Sequence, residues 1–104
     1  LPDIEPIEYT NYYDIEKQVE LCKGTAVEKS KVTVKFQSTE GPSTFAVEVW
    51  HRTSANDEWT KSESKSAIVG YAPSFSVPVA SEYVVMVTAI EGNKGNVTFF
   101  VSCS

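Results

Sequence analysis

The sequence predicts an all-β fold, an antiparallel β-sandwich of seven strands. Two observations predict it. Apolar residues recur with a period of two at 32–36, 45–49, 83–89 and 97–103. Clusters of Gly, Pro, Asn and Asp break the chain at 40–42, 55–57, 72–73 and 92–96. Short strands with frequent turns and no helical spacing between them suit a sandwich rather than alternating strands and helices. A length of 104 residues suits one domain, and an aromatic content of 12 % supplies bulk for its core.

Taken in order, residues 15–22 read as an edge strand. Ile15 and Val19 are four apart and allow a helical turn, but Val19, Leu21 and Cys22 suit a strand as well. Val32, Val34 and Phe36 alternate with Thr33 and Lys35, and Glu40-Gly41-Pro42 turns the chain. Phe45, Val47 and Val49 alternate with Ala46 and Glu48. Ala55-Asn56-Asp57 leads into a short strand at 59–61. Residues 61–66 alternate serine with charge and read as a polar loop. A second short strand at 75–77 follows Ala72-Pro73. The runs 83–89 and 97–103 are joined by Gly92-Asn93-Lys94-Gly95-Asn96. There are no internal repeats.

The net charge of −5 is localised. Residues 1–20 hold six acids (Asp3, Glu5, Glu8, Asp14, Glu16, Glu20) and one base, Lys17. The other 84 residues hold eight of each sign. Residues 1–14, with Tyr9, Tyr12 and Tyr13, therefore read as an acidic leader or linker, and 15–104 as the sandwich domain. A sharper alternative is a docking arm for a basic partner, with sulfated tyrosines. A chain that begins at Leu1 reads as a mature product or an excised domain. An acidic chain disfavours nucleic acid, and no run has the length of a membrane span.

Cys22 and Cys103 lie 81 positions apart, which excludes CxxC redox or zinc spacing. A bridge between them would join first strand to last and imply an oxidising compartment. Two buried free thiols are the alternative. A glycosylation sequon at Asn96-Val97-Thr98 fits an exported protein.

Over residues 17–104 the order of these features resembles the fibronectin type III family of immunoglobulin-like sandwiches. Residues 32–36 look like its strand B, 45–52 like strand C, Glu58-Trp59 like the start of C′, and 82–89 like strand F with Tyr83 as its corner tyrosine. Two departures stand out: Phe36 replaces the usual Trp, and Pro78 is one place early before Tyr83. The run from Tyr83 to the last strand is also similar to pre-peptidase C-terminal-type and CUB-like sandwiches. The fibronectin resemblance implies strands C, F and G side by side in one sheet.

Alternation then assigns faces. Tyr83, Val85, Val87 and Ala89 face the core, as do Phe45, Val47 and Val49. The opposite phases contain Trp50, Arg52, Val84, Met86, Ile90 and Phe100, which together form a candidate partner-binding patch on the C–F–G face. Burial of that patch under the leader is the competing expectation. Asn93, Lys94 and Asn96 are candidate contacts in the F–G loop.

No catalytic chemistry is legible. His51 has no nucleophile or carboxylate placed by a motif, and Asp57-Glu58 sits in a turn. No metal or cofactor is implied. The reading is a secreted or cell-surface, non-enzymatic module for protein binding or adhesion, with an extracellular protein or a second copy as partner. The alternatives are a carbohydrate-binding or spacer domain of a secreted enzyme, with Trp50 and Trp59 stacking sugars, and a small secreted protease inhibitor.

Overall fold

The computed structural model describes residues 6–26, 30–39 and 41–103. Pro2, Asp3 and Glu5 of the expected leader and Glu40 of the expected turn lie outside the described residues. Nine strands form: β1 (Ile7–Tyr13), β2 (Gln18–Thr25), β3 (Ser30–Thr39), β4 (Pro42–Arg52), β5 (Thr60–Lys61), β6 (Lys65–Ala67), β7 (Ser74–Val77), β8 (Glu82–Gly92) and β9 (Gly95–Cys103). They make two sheets. The first has the order β1-β9-β3-β7, and the second the order β2-β8-β4-β5, with β6 also paired to β4. Every pairing between strands is antiparallel. The smallest dimension, 18 Å, is that of two stacked layers.

The core follows the alternation. Val32, Val34 and Phe36 from β3, Phe45, Val47 and Val49 from β4, Val85, Val87 and Ala89 from β8, and Val97, Phe99 and Val101 from β9 are all buried. β-branched and aromatic side chains dominate because they pack well on a pleated surface.

Seven strands become nine because two short or disguised segments pair. In β6 the serine–charge alternation of the expected loop turns Ser66 outward, buries Ala67 against Phe45 of β4, and sends the Lys65 ammonium inward to the Ser74 carbonyl and the Phe75 ring of β7. In β1 the expected leader is corrected over its described part. All seven of its residues pair with β9, from Ile7↔Val101 to Tyr13↔Gly95. Tyr13 is fully buried in the core. The acids of this segment had obscured a period of two, in which Tyr9, Asn11 and Tyr13 share the inner phase. The segment joins the first sheet, so residues 7–13 do not cover Trp50, which belongs to the second. The helical option at 14–21 is also excluded. Glu16 takes a left-handed φ of 68° and its N–H donates to the Ala89 carbonyl at 2.7 Å, which ends any helical turn there.

The last strand differs from the expected pairing. β9 lies between β1 and β3 in the first sheet, not beside β8. The link between β8 and β9 is a corner from one sheet to the other. Gly92 has φ 102°, and a Cβ there would meet the Ser43 nitrogen at 2.8 Å and the Gly41 oxygen at 2.9 Å. A glycine that turns this tightly sends the chain across the sandwich where a hairpin would have kept it in one sheet. The expected C–F–G face is therefore split. Phe100 lies on the outer side of the first sheet, between Glu8 and Lys35 in register, away from Trp50.

The Tyr13 hydroxyl is buried without a hydrogen-bond partner. Burial pushes its pKa far above the ordinary value, and the nearby Asn11 side chain tempers the rise without reaching bonding geometry. Tyr13→Phe keeps the ring and removes an unpaired polar atom, so it is expected to be neutral or to stabilise by up to ~1 kcal/mol. Tyr13→Ala is expected to cost ~3–5 kcal/mol. Urea unfolding midpoints check both.

Candidate functional site

The outer side of the second sheet carries Trp50, Arg52, Val84 and Met86, as the alternation assigns them. All four are half-buried, because polar side chains lie over the sheet. Glu48 of β4 accepts from the Gln18 amide of β2 at 2.9 Å and pairs with Lys61 of β5 at 2.8 Å. This strap spans the sheet beside Met86, the register partner of Glu48. Arg52 is fully engaged within the chain. Its Nε pairs with Glu82 at 2.6 Å, another nitrogen donates to the Ala55 carbonyl at 3.2 Å, and its guanidinium sits 4.3 Å from the centre of the Trp59 ring. Arg52 thus clamps the 53–59 turn to β8. The Trp50 indole N–H is buried with no acceptor. Beside the clamp lies a shallow polar groove of about 350 Å³, lined by Glu20, Lys23, Thr25, Trp59, Glu82 and Val84 among others.

The most exposed apolar side chains lie elsewhere. Between β6 and β7, residues 68–71 form a tight turn in which the Tyr71 N–H donates to the Ile68 carbonyl at 3.1 Å. Gly70, at φ 87°, supplies the left-handed position that closes it. Val69 at the tip is 75 % exposed, Tyr71 53 % and Ile68 45 %. The register places this turn at the Pro42 end of β4. Ala67 pairs with Phe45, and Phe45 pairs with Ala89, so Ile68 and Ile90 each stand one residue beyond the same rung. Ile90 is exposed and belongs with this end, not with Trp50. The corner between β8 and β9, with exposed Asn93 and Lys94, lies at that end too. Asn96 is exposed at the start of β9, opposite Tyr12. The sequence holds the signal for the turn: apolar Ile68, Val69 and Tyr71 gathered around Gly70, where turns are ordinarily polar.

The expected bridge between Cys22 and Cys103 is absent, and both thiols are free. The two thiols come from different sheets, and the Tyr83 phenol lies near both of them. A bulge between Glu20 and Cys22 turns the Cys22 thiol into the second sheet's inner layer, beside the Tyr9 phenol of β1. Cys103 is on the first sheet, beside the Tyr83 phenol. Burial pushes the Cys22 pKa from its ordinary 9 to about 11 and that of Tyr83 to about 12. The Cys22 thiol is therefore neutral near pH 7 and is a poor nucleophile.

Asp57 accepts from the Ser54 N–H at 3.1 Å and closes the 53–58 turn. Among the described residues, no three His, Cys, Asp or Glu side chains gather to hold a metal ion. No helix among them is long and apolar enough to cross a membrane.

No protein-family model and no curated protein matches the sequence. The fold is similar to that of PliG from Aeromonas hydrophila, a periplasmic lysozyme inhibitor of g-type lysozyme, known from a crystal structure. The TM-score is 0.62, over 97 % of this chain and 88 % of that one, at 12 % identity. At that identity the likeness is one of fold.

A thiol kept neutral by folding makes stability depend on pH in the alkaline range. The Cys22 contribution is complete below pH 9, where the unfolded thiol begins to ionise, and is lost as pH rises toward 11. Stability is expected to fall from about pH 9 upward, with Tyr9, Tyr13 and Tyr83, each raised by burial, adding to the loss as pH nears their ordinary value of 10. Cys22→Ala is expected to lessen the slope around pH 9. Urea midpoints at a series of pH values measure it.

Proposed function

We propose that the chain is a non-catalytic, exported protein-binding module that blocks an enzyme by presenting the end of the sandwich to it. The observation that carries this reading is the 68–71 turn. Three large apolar side chains project from a hydrogen-bonded turn whose tip is mostly exposed. A turn already fixed in shape loses little conformational freedom on binding, so its apolar contact area converts into affinity more fully than that of a flexible loop. Tyrosine is a common anchor of such contacts. Ile90, Asn93 and Lys94 extend the surface at the same end. The fold likeness to a lysozyme inhibitor supports the same reading and supplies the first target to test.

The sheet face around Trp50 is the weaker surface. Its apolar groups lie under the Glu48 strap, and Arg52 is occupied by Glu82, Ala55 and Trp59. The same stacking on Trp59 and the partial burial of Trp50 weigh against a sugar platform.

The test is cell-wall lysis by a g-type lysozyme in the presence of increasing amounts of the chain. Stoichiometric loss of lysis is expected, and full lysis in excess chain would sink the inhibitor reading. Val69→Asp is expected to weaken inhibition by about 10–100-fold, or ~1–3 kcal/mol. Its near-UV circular dichroism should be unchanged, because Val69 is a surface residue. Trp50→Ala, by contrast, is expected to leave inhibition unchanged.

A further inference from the structure

Among the described residues five strands form the lateral edges of the two sheets, and four of them are blunted, β6 by its length of three residues. β2 carries the bulge between Glu20 and Cys22 and has Lys17 and Lys23 in or beside it. β5 is two residues long. β7 is four residues long and lies between Pro73 and Pro78. Short length, bulges, lysines and prolines are the devices that stop a sheet from adding strands.

β1 has none of them within its length, and only Pro6 stands beside it. Its seven residues hold an unbroken register with β9 and contain no Lys and no Pro. Among the described residues, β9 is its only ladder partner, so the other edge presents its backbone N–H and C=O groups unpaired. Two of its large side chains, Ile7 and Tyr12, are 59 % and 51 % exposed.

We infer that β1 is a strand-pairing surface for a second copy of this chain, joined antiparallel about Thr10. The strand's own sequence argues for this occupant. Pairing centred on Thr10 sets Glu8 opposite Tyr12 and Ile7 opposite Tyr13, each pair on one face of the combined sheet. Glu8 is the only charged residue in β1, so no like charges face each other across the new ladder. A phenol stands across from a carboxylate, and Ile7 gains an aromatic neighbour. The two first sheets merge into one continuous sheet of eight strands. Asp14 and Glu16, just beyond β1, oppose the approach of a second acidic edge. Association therefore tightens as salt rises, opposite to the behaviour of an interface held by ion pairs.

Sedimentation velocity on the full chain over a range of concentrations and salt tests this. A monomer–dimer equilibrium that shifts toward dimer with salt is expected. Thr10→Lys places two like charges at the centre of the pairing and is expected to weaken the dimer by about tenfold or more. Tyr12→Lys places a base opposite Glu8 and is expected to hold or tighten it. Both sites are exposed on the outer side of β1, and near-UV circular dichroism confirms the fold. A chain that stays monomeric throughout overturns the inference. So does a dimer that Tyr12→Lys weakens as much as Thr10→Lys, because that outcome marks unregistered apolar association. Val69→Asp leaves this equilibrium unchanged, so the result stands apart from the inhibition test.

Discussion

Phe45 reaches from the second sheet into three rings of the first. Its centroid lies 4.9 Å from Phe99, 5.2 Å from Phe36 and 5.7 Å from Tyr13, with edge-on or tilted geometry at each contact. Those three rings come from β9, β3 and β1, so one side chain ties four strands and both layers together. Edge-to-face aromatic contacts each add about 0.5–1.5 kcal/mol beyond the area they bury. Their larger effect here is geometric. Rings that meet at fixed angles allow one stacking of the sheets and one register, and the links between strands must accommodate it.

The surface depends on that anchor. Phe45 is the register partner of Ala67, the last residue of β6, and of Ala89 on β8. The chain leaves this rung at Ile68 on one side and Ile90 on the other. The 68–71 turn projects beyond the rigid centre of the core, which is why an exposed apolar tip can keep its shape. At the opposite end of β4, Arg52, Glu82 and Trp59 clamp a polar turn, and the strap of Gln18, Glu48 and Lys61 covers the sheet between. One end of β4 thus leads to an exposed apolar turn, and the other to a clamped polar one.

Acidity takes on a different meaning as well. The described acids of the first twenty residues do not belong to a detached leader. Glu8, Asp14, Glu16 and Glu20 lie on or beside β1 and β2, the strands that form the same lateral side of both sheets. Among the described residues that side carries four acids against Lys17 and Lys23, an excess that bears on how it meets another chain.

The all-β class, the positions of the longer strands and their inward phases were legible in the sequence. Val32, Val34, Phe45, Val47, Val85, Val87, Phe99 and Val101 needed only a period of two, which is a local property of an extended chain. Trp50, Val84 and Met86 were rightly placed on an outer face for the same reason. Strand pairing was not legible. Whether Gly92-Asn93-Lys94-Gly95 makes a hairpin or a corner depends on what packs against it, and the Gly41–Ser43 backbone decides that. The pairing of β1 with β9 and the separation of Phe100 from Trp50 follow from it. Alternation fixes which side of a strand is buried, because successive side chains point to opposite faces. Neighbours in a sheet are chosen by contacts between segments far apart in the chain, and those contacts exist only once the two layers have closed on Phe45.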